Sequence, residues 1–206
     1  MSPAKAITIG MVAALAALGG LVAASLMSGT KNIELETGTL LKTPRTIEAF
    51  ALKDSSGAVF DNARLAGHWS MVFAGFTYCP DVCPSTLQML KGLTTRLDAA
   101  NTPVQVVFLS VDPQRDTPAV LERYVHYFSP EFVGVTGSDD ELEKLARSLS
   151  LVYAKVPGET PESYTMDHSA ALVLINPQGQ VTAYFLPPHR VDQLAADMQR
   201  VVRGQG

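Results

Sequence analysis

The residues best suited to chemistry stand in one stretch, FTYCPDVCP over residues 76–84, which holds Cys79 and Cys83, the only cysteines of the 206-residue chain. Three residues separate them, where a thioredoxin-type redox motif has two. Three kinds of chemistry suit such a pair. A structural disulfide would close a ring of only five residues, worth roughly 2 kcal/mol, against more than about twice that for a loop of about 100 residues. A redox dithiol needs a stabilised thiolate. Pro84 suits the first helical position and makes Cys83 the expected N-cap, where the positive end of a helix lowers a thiol's pKa. Metal binding also needs thiolates, and two soft sulfur ligands favour Cu(I) or zinc.

A metal would need a third ligand, and four histidines are available. His68 precedes an apolar run and falls at the end of a sheet away from the cysteines. His126 lies within a helical stretch, and His189 follows a Pro-Pro pair at a helix start. His168, in MDHSAAL, stands just before a buried strand, flanked by the polar Asp167 and Ser169. Residue chemistry alone leaves the dithiol and the metal site open as equals.

Elements of alternating type must hold these residues. HWSMVFAGFT (68–77) and VQVVFLSV (104–111) are near-continuous apolar runs, the mark of strands buried on both faces. Between them PSTLQMLKGLTTRLDAA (84–100) carries Leu87, Leu90, Leu93 and Leu97 at helical spacing. Pro118 opens a second helix through Phe128. EFVGVTG (131–137) reads as a strand, and Ser138 with Glu141 forms a capping box for a third helix. FALKDSSGAVFD (50–61) reads as two short strands about a turn. LVYAKV (151–156), AALVLIN (170–176) and VTAYFL (181–186) are further strands before a last helix at 190–202. The order predicts an α/β domain with a central, largely parallel sheet flanked by helices, and the cysteines just beyond the carboxyl end of a strand, where ligands bind on such sheets.

The N-terminal region has a different character. Residues 6–27 carry no charge. Their 22 residues span about 33 Å as a helix, enough for a bilayer core of roughly 30 Å. Lys5 precedes the run, while Lys31, Glu34 and Glu36 follow it, a bias that keeps residues 1–5 in the cytoplasm and sends the rest across. The run is longer than a usual signal-peptide core, although the small residues of VAAS (22–25) leave cleavage open. The N-terminus is not rich in Arg and Ser, so a bacterial inner-membrane protein facing the periplasm fits better than an imported mitochondrial one. The expected division is a cytoplasmic stub at 1–5, a transmembrane anchor at 6–27, a polar tether at 28–48 and a folded domain at 49–206. A net charge of −4, with no basic stripe, excludes nucleic-acid binding as a working reading.

Three motifs in order, GFTYCPDVCPSTL (75–87), LSVDPQRDTP (109–118) and DHSAALVLINPQG (167–179), resemble the Sco/SenC family of membrane-anchored copper proteins. The likeness covers most of residues 45–202. It implies a thioredoxin-like fold and a copper site, for Cu(I) or Cu(II), made by Cys79, Cys83 and His168. It also implies a metallochaperone, not an enzyme, that supplies the copper-A site of cytochrome c oxidase subunit II. Asp167 and Asp112 match acidic positions of the family motifs and are carried over as supporting residues. A disulfide between Cys79 and Cys83 would abolish metal binding, so a thiol reductant is an expected partner, and another copper chaperone is a candidate donor. The alternative is a membrane-anchored thiol–disulfide oxidoreductase that reduces the cysteines of the oxidase copper site. Thioredoxin-like redox enzymes place a cis-proline opposite their cysteines. YTMDHSAA (164–171) has no proline there and offers His168 instead.

Overall fold

The structure is a computed structural model that describes residues 33–160 and 163–205. The expected stub at 1–5 and anchor at 6–27 lie outside the described residues. Among the described residues, no helix is long and apolar enough to cross a membrane. In chain order the elements are β1 (Gly38–Thr46), β2 (Ala51–Asp54), β3 (Val59–Asp61), β4 (Trp69–Gly75), α1 (Val82–Ala99), β5 (Val104–Ser110) and α2 (Pro118–Phe128). There follow β6 (Val133–Thr136), α3 (Asp139–Ser148), β7 (Tyr153–Val156), β8 (Thr165–His168), β9 (Leu172–Ile175), β10 (Gln180–Phe185) and α4 (Val191–Gln205).

The apolar runs at 69–75 and 104–110 pair in parallel, from Trp69 opposite Val104 to Gly75 opposite Ser110. β6 continues the parallel set beside β5. Leu87, Leu90, Leu93 and Leu97 all bury on the inner side of α1, as their spacing predicts. Phe73, Phe108 and the four residues of β9 make the centre of the core with them.

The sheet corrects the expectation of a largely parallel array. Its order is β1-β10-β9-β4-β5-β6-β2-β3, and only the β4–β5 and β5–β6 pairings are parallel. Strand alternation with helices dictates parallel pairing only where a helix returns the chain. β9 is wholly buried, and a buried apolar run reads the same in either direction, so its antiparallel place beside β4 carries no sequence mark.

Residues 38–46 also depart from expectation. They were expected within the tether, yet they form an edge strand on β10. Lys42, Pro44 and Arg45 made the segment look unstructured, but charge and proline are what an edge strand tolerates. Pro44 lies where the pairing is interrupted, between Leu40 opposite Ala183 and Arg45 opposite Val181. Just before the strand, the buried Asp197 of α4 accepts the Glu36 and Thr37 amides at 2.9 and 2.8 Å. The folded part therefore begins well ahead of residue 49.

Two smaller differences concern helix starts. Ser138 is the N-cap of α3, but the reciprocal bonds of a capping box do not form. Glu141 instead accepts the Ala51 amide at 2.7 Å and so ties α3 to β2. Helix α1 begins at Val82 with Asp81 as its N-cap, which places Cys83 inside the first turn and not at the cap.

Candidate metal centre

The cysteines and His168 arrive from separate directions. Cys79 follows the end of β4, in a turn closed by its amide donating to Phe76 O at 3.2 Å. Cys83 is the second residue of α1. Its backbone N–H is one of the donors that the first turn of a helix leaves free, and it points at Cys79 Sγ at 3.3 Å. The shift of the helix start by two residues thus exchanges the expected roles: the helix end caps the sulfur of Cys79, and Cys83 is carried inward. Cys83 is fully buried, Cys79 is half-buried, and both are free thiols.

His168 is the last residue of β8, in a two-stranded ladder where it pairs with Tyr153. This strand carries no separate mark in the sequence. Its Nδ1 faces Ser169 O at 3.2 Å. A carbonyl can only accept, so Nδ1 carries the proton and Nε2 presents its lone pair. Nε2 lies 3.4 Å from Cys83 Sγ. The rings of Phe73 and Phe76 meet the imidazole edge-on, each with centroids 6.0 Å away, and hold its plane. The loop after β8 is itself tied down, for Ser169 exchanges hydrogen bonds with the backbone of Val152.

One ligand atom from each of Cys79, Cys83 and His168 lies within 4.8 Å of the others. With metal–sulfur and metal–nitrogen bonds of about 2.3 and 2.0 Å, a trigonal site needs separations of about 4.0 and 3.7 Å. The cluster fits one ion of soft character after only small adjustments. Burial, followed by the hydrogen bond with Cys79, pushes the Cys83 thiol well above its usual range. An uncompensated thiolate is disfavoured there, and a bound cation is what offsets that cost.

The two acidic candidates divide. Asp167 is exposed and neighbours His168 along a strand, so it faces the opposite side of the ladder. Among the described residues it makes no hydrogen bond to the cluster, and its expected supporting role is not seen. Asp112 is buried, but it binds Tyr164 Oη at 2.7 Å and Arg115 Nε, not a cysteine or His168. The residue missed is Asp116. Its carboxylate accepts the Thr77 amide at 2.9 Å, the Thr77 hydroxyl and the Ser110 hydroxyl at 2.7 Å, pinning the chain two residues before Cys79. It stands in the same motif as Asp112, and only its contacts distinguish the two.

The other histidines lie elsewhere. His68 hydrogen-bonds Gln105 at 2.9 Å beside the opposite end of β4, and His126 is exposed on α2. His189 is half-buried with Nε2 3.2 Å from Ala170 O, and burial lowers its pKa.

Gly75 makes room for the buried sulfur. A Cβ there would lie 2.6 Å from the Phe108 ring and 3.1 Å from Cys83 Sγ. Gly75→Ala is therefore expected to destabilise the domain by about 1–3 kcal/mol through overpacking. A urea unfolding midpoint equal to that of the wild type would show that this space is not filled as described.

The model of the SCO1/SenC family matches residues 39–203. The bovine Protein SCO2 homolog, mitochondrial, is 37% identical over 153 residues, covering 73% of this chain and 58% of the relative. The human Protein SCO1 homolog, mitochondrial, is 31% identical over 197 residues, covering 91% of this chain and 64% of the relative. The chain thus spans about six-tenths of the length of these mitochondrial relatives. Among solved structures, Arabidopsis thaliana ScoI with copper bound superposes with a TM-score of 0.70 at 33% identity, covering 75% of this chain and 97% of that one.

Proposed function

The chain belongs to the SCO1/SenC family, and on that footing we propose that it binds one copper ion through Cys79, Cys83 and His168. The ion is cargo, destined for the copper-A site of cytochrome c oxidase subunit II. The observation that carries this reading is the meeting of two thiol sulfurs and an imidazole Nε2 within 4.8 Å. Two sulfurs and one nitrogen suit Cu(I), while Cu(II) would recruit a further oxygen ligand. The two thiols differ in access. Half-buried Cys79 is the sulfur that an incoming partner thiolate displaces first, and buried Cys83 is the last to let go. The Ser169 carbonyl keeps the imidazole in the tautomer that binds metal.

Oxidation of Cys79 and Cys83 to a disulfide removes two electrons and both sulfur ligands, so the pair needs a reductant in an oxidising compartment. The reading includes a bacterial inner-membrane anchor at 6–27, with the copper-binding domain in the periplasm. Its support is the uncharged run alone. The full chain with reduced thiols is expected to take up about one copper ion per molecule. Loss of an outer partner of a metal ligand already costs about 10- to 100-fold in affinity, so His168→Ala should cost more than about 100-fold. Copper held as tightly by His168→Ala as by the wild type would remove His168 from the ligand set.

The second reading, a thiol–disulfide reductase acting on the oxidase cysteines, draws on the same free thiols and on the Cys83 amide directed at Cys79 Sγ. Sustained turnover of a disulfide substrate without copper, undiminished in His168→Ala, would favour it over the metallochaperone.

A further inference from the structure

His168 is carried by a hairpin that packs on the main sheet without being hydrogen-bonded into it. β7 and β8 form a sheet of their own, and β8 has no ladder to the eight strands. Side-chain contacts must keep the hairpin seated: Phe73 and Phe76 meet the His168 ring, and Arg115 ties the start of β8 to the cysteine loop. Arg115 is largely buried, at 17% exposure. Its Nη1 donates to Tyr164 O at 3.0 Å, immediately before β8. Its guanidinium carbon lies 3.7 Å from the centroid of the Tyr164 ring, 4.7 Å from that of Tyr78 and 5.8 Å from that of Phe76. Tyr78 and Phe76 belong to the loop that delivers Cys79. Asp112 orients the arrangement from below, accepting from Arg115 Nε and from Tyr164 Oη at 2.7 Å. Among the described residues Arg115 Nη2 is buried without a hydrogen-bond partner, and the fork is placed by its aromatic faces and by Asp112.

We propose that Arg115 is a positioning residue for the metal centre: it clamps the start of β8 to the cysteine loop and so keeps His168 over the two sulfurs. A planar cation suits this task. It lies over three rings while its N–H groups bind a carboxylate and a carbonyl, and a lysine ammonium cannot do both. The contacts stand independently of any metal, but their consequence for copper rests on the reading given above. The clamp also assigns Asp112 its work, which is to hold Arg115 and Tyr164 rather than to reach a ligand.

The test uses the full chain carrying Arg115→Met, which keeps apolar bulk and removes the charge and the donors. In the copper-free protein, backbone amides of β7 and β8 are expected to exchange with solvent about 10- to 100-fold faster, while those of β4 and β5 keep their wild-type rates. In the Cu(II)-loaded protein, the nitrogen coupling that the imidazole contributes to the electron paramagnetic resonance spectrum should weaken or vanish while the thiolate charge-transfer bands persist. Should Arg115→Met fail to fold, Arg115→Lys is read in the same way, and an intermediate rise in hairpin exchange is expected. Hairpin exchange within about twofold of wild type would overturn the clamp, as would unchanged nitrogen coupling. A wild-type chain that takes up no copper sinks the preceding reading instead, and the exchange rates then decide the clamp by themselves.

Discussion

Cys83→Ala is expected to abolish tight copper binding and to leave the domain folded. The substitution leaves one thiolate and one imidazole, too few soft donors to outcompete a Cu(I) chelator. Cys83 is fully buried, packed by α1 beneath Gly75 and Phe108. Removing one sulfur atom from such a place costs about 1–2 kcal/mol, well short of the 5–15 kcal/mol by which domains are typically stable. Cys79→Ala should lose copper equally, yet cost less stability because Cys79 is only half-buried, at the margin of the core. The pair of variants therefore separates ligation from packing: equal loss of copper, unequal urea midpoints. Copper that resists the chelator in Cys83→Ala would remove the buried sulfur from the ligand set.

The legible parts of this fold are those where burial writes a pattern. β4 and β5 are apolar throughout because both faces are covered, and α1 repeats leucine at helical spacing because one face is covered. β1 was not legible because an edge strand with one half-exposed face uses lysine, proline and arginine, as a linker does. β8 was not legible for a related reason. Its four residues TMDH alternate exposed and buried only briefly, and its partner β7 is mostly exposed or half-exposed. The two cysteines and His168 could be singled out because few residue types bind soft metals and the motifs resemble a family, and the structure brings the three together. Choosing among acidic neighbours required contacts. Asp112, Asp116 and Asp167 have the same chemistry in a sequence; in space one holds an arginine, one holds Thr77 and one faces solvent.

Asp116→Ala is expected to be the most destabilising single substitution around the site. The carboxylate is fully buried and receives three donors: the Thr77 amide, the Thr77 hydroxyl and the Ser110 hydroxyl. Among the described residues the Thr77 amide has no other partner, so alanine strands it in the interior together with two hydroxyls. Breaking a buried charged network of this kind costs about 3–5 kcal/mol, which lowers the melting temperature by about 6–20 °C in a domain of this size. Because Thr77 lies two residues before Cys79, the same change loosens one sulfur, and Asp116→Asn, which keeps the shape but not both acceptors, should lie between. The pH dependence has a definite sign. Burial, offset in part by the bonds from Thr77 and Ser110, holds the carboxyl above its ordinary 3.8. The folded chain therefore keeps this proton more readily than the unfolded one. Its share of the stability is complete at low pH and shrinks as pH rises through the folded-state value. The gap in unfolding free energy between the wild type and Asp116→Ala should accordingly narrow as pH is raised from about 4 toward neutrality. A gap that widens over that range, or a melting temperature within about 2 °C of wild type, would mean that Asp116 does not anchor the cysteine loop.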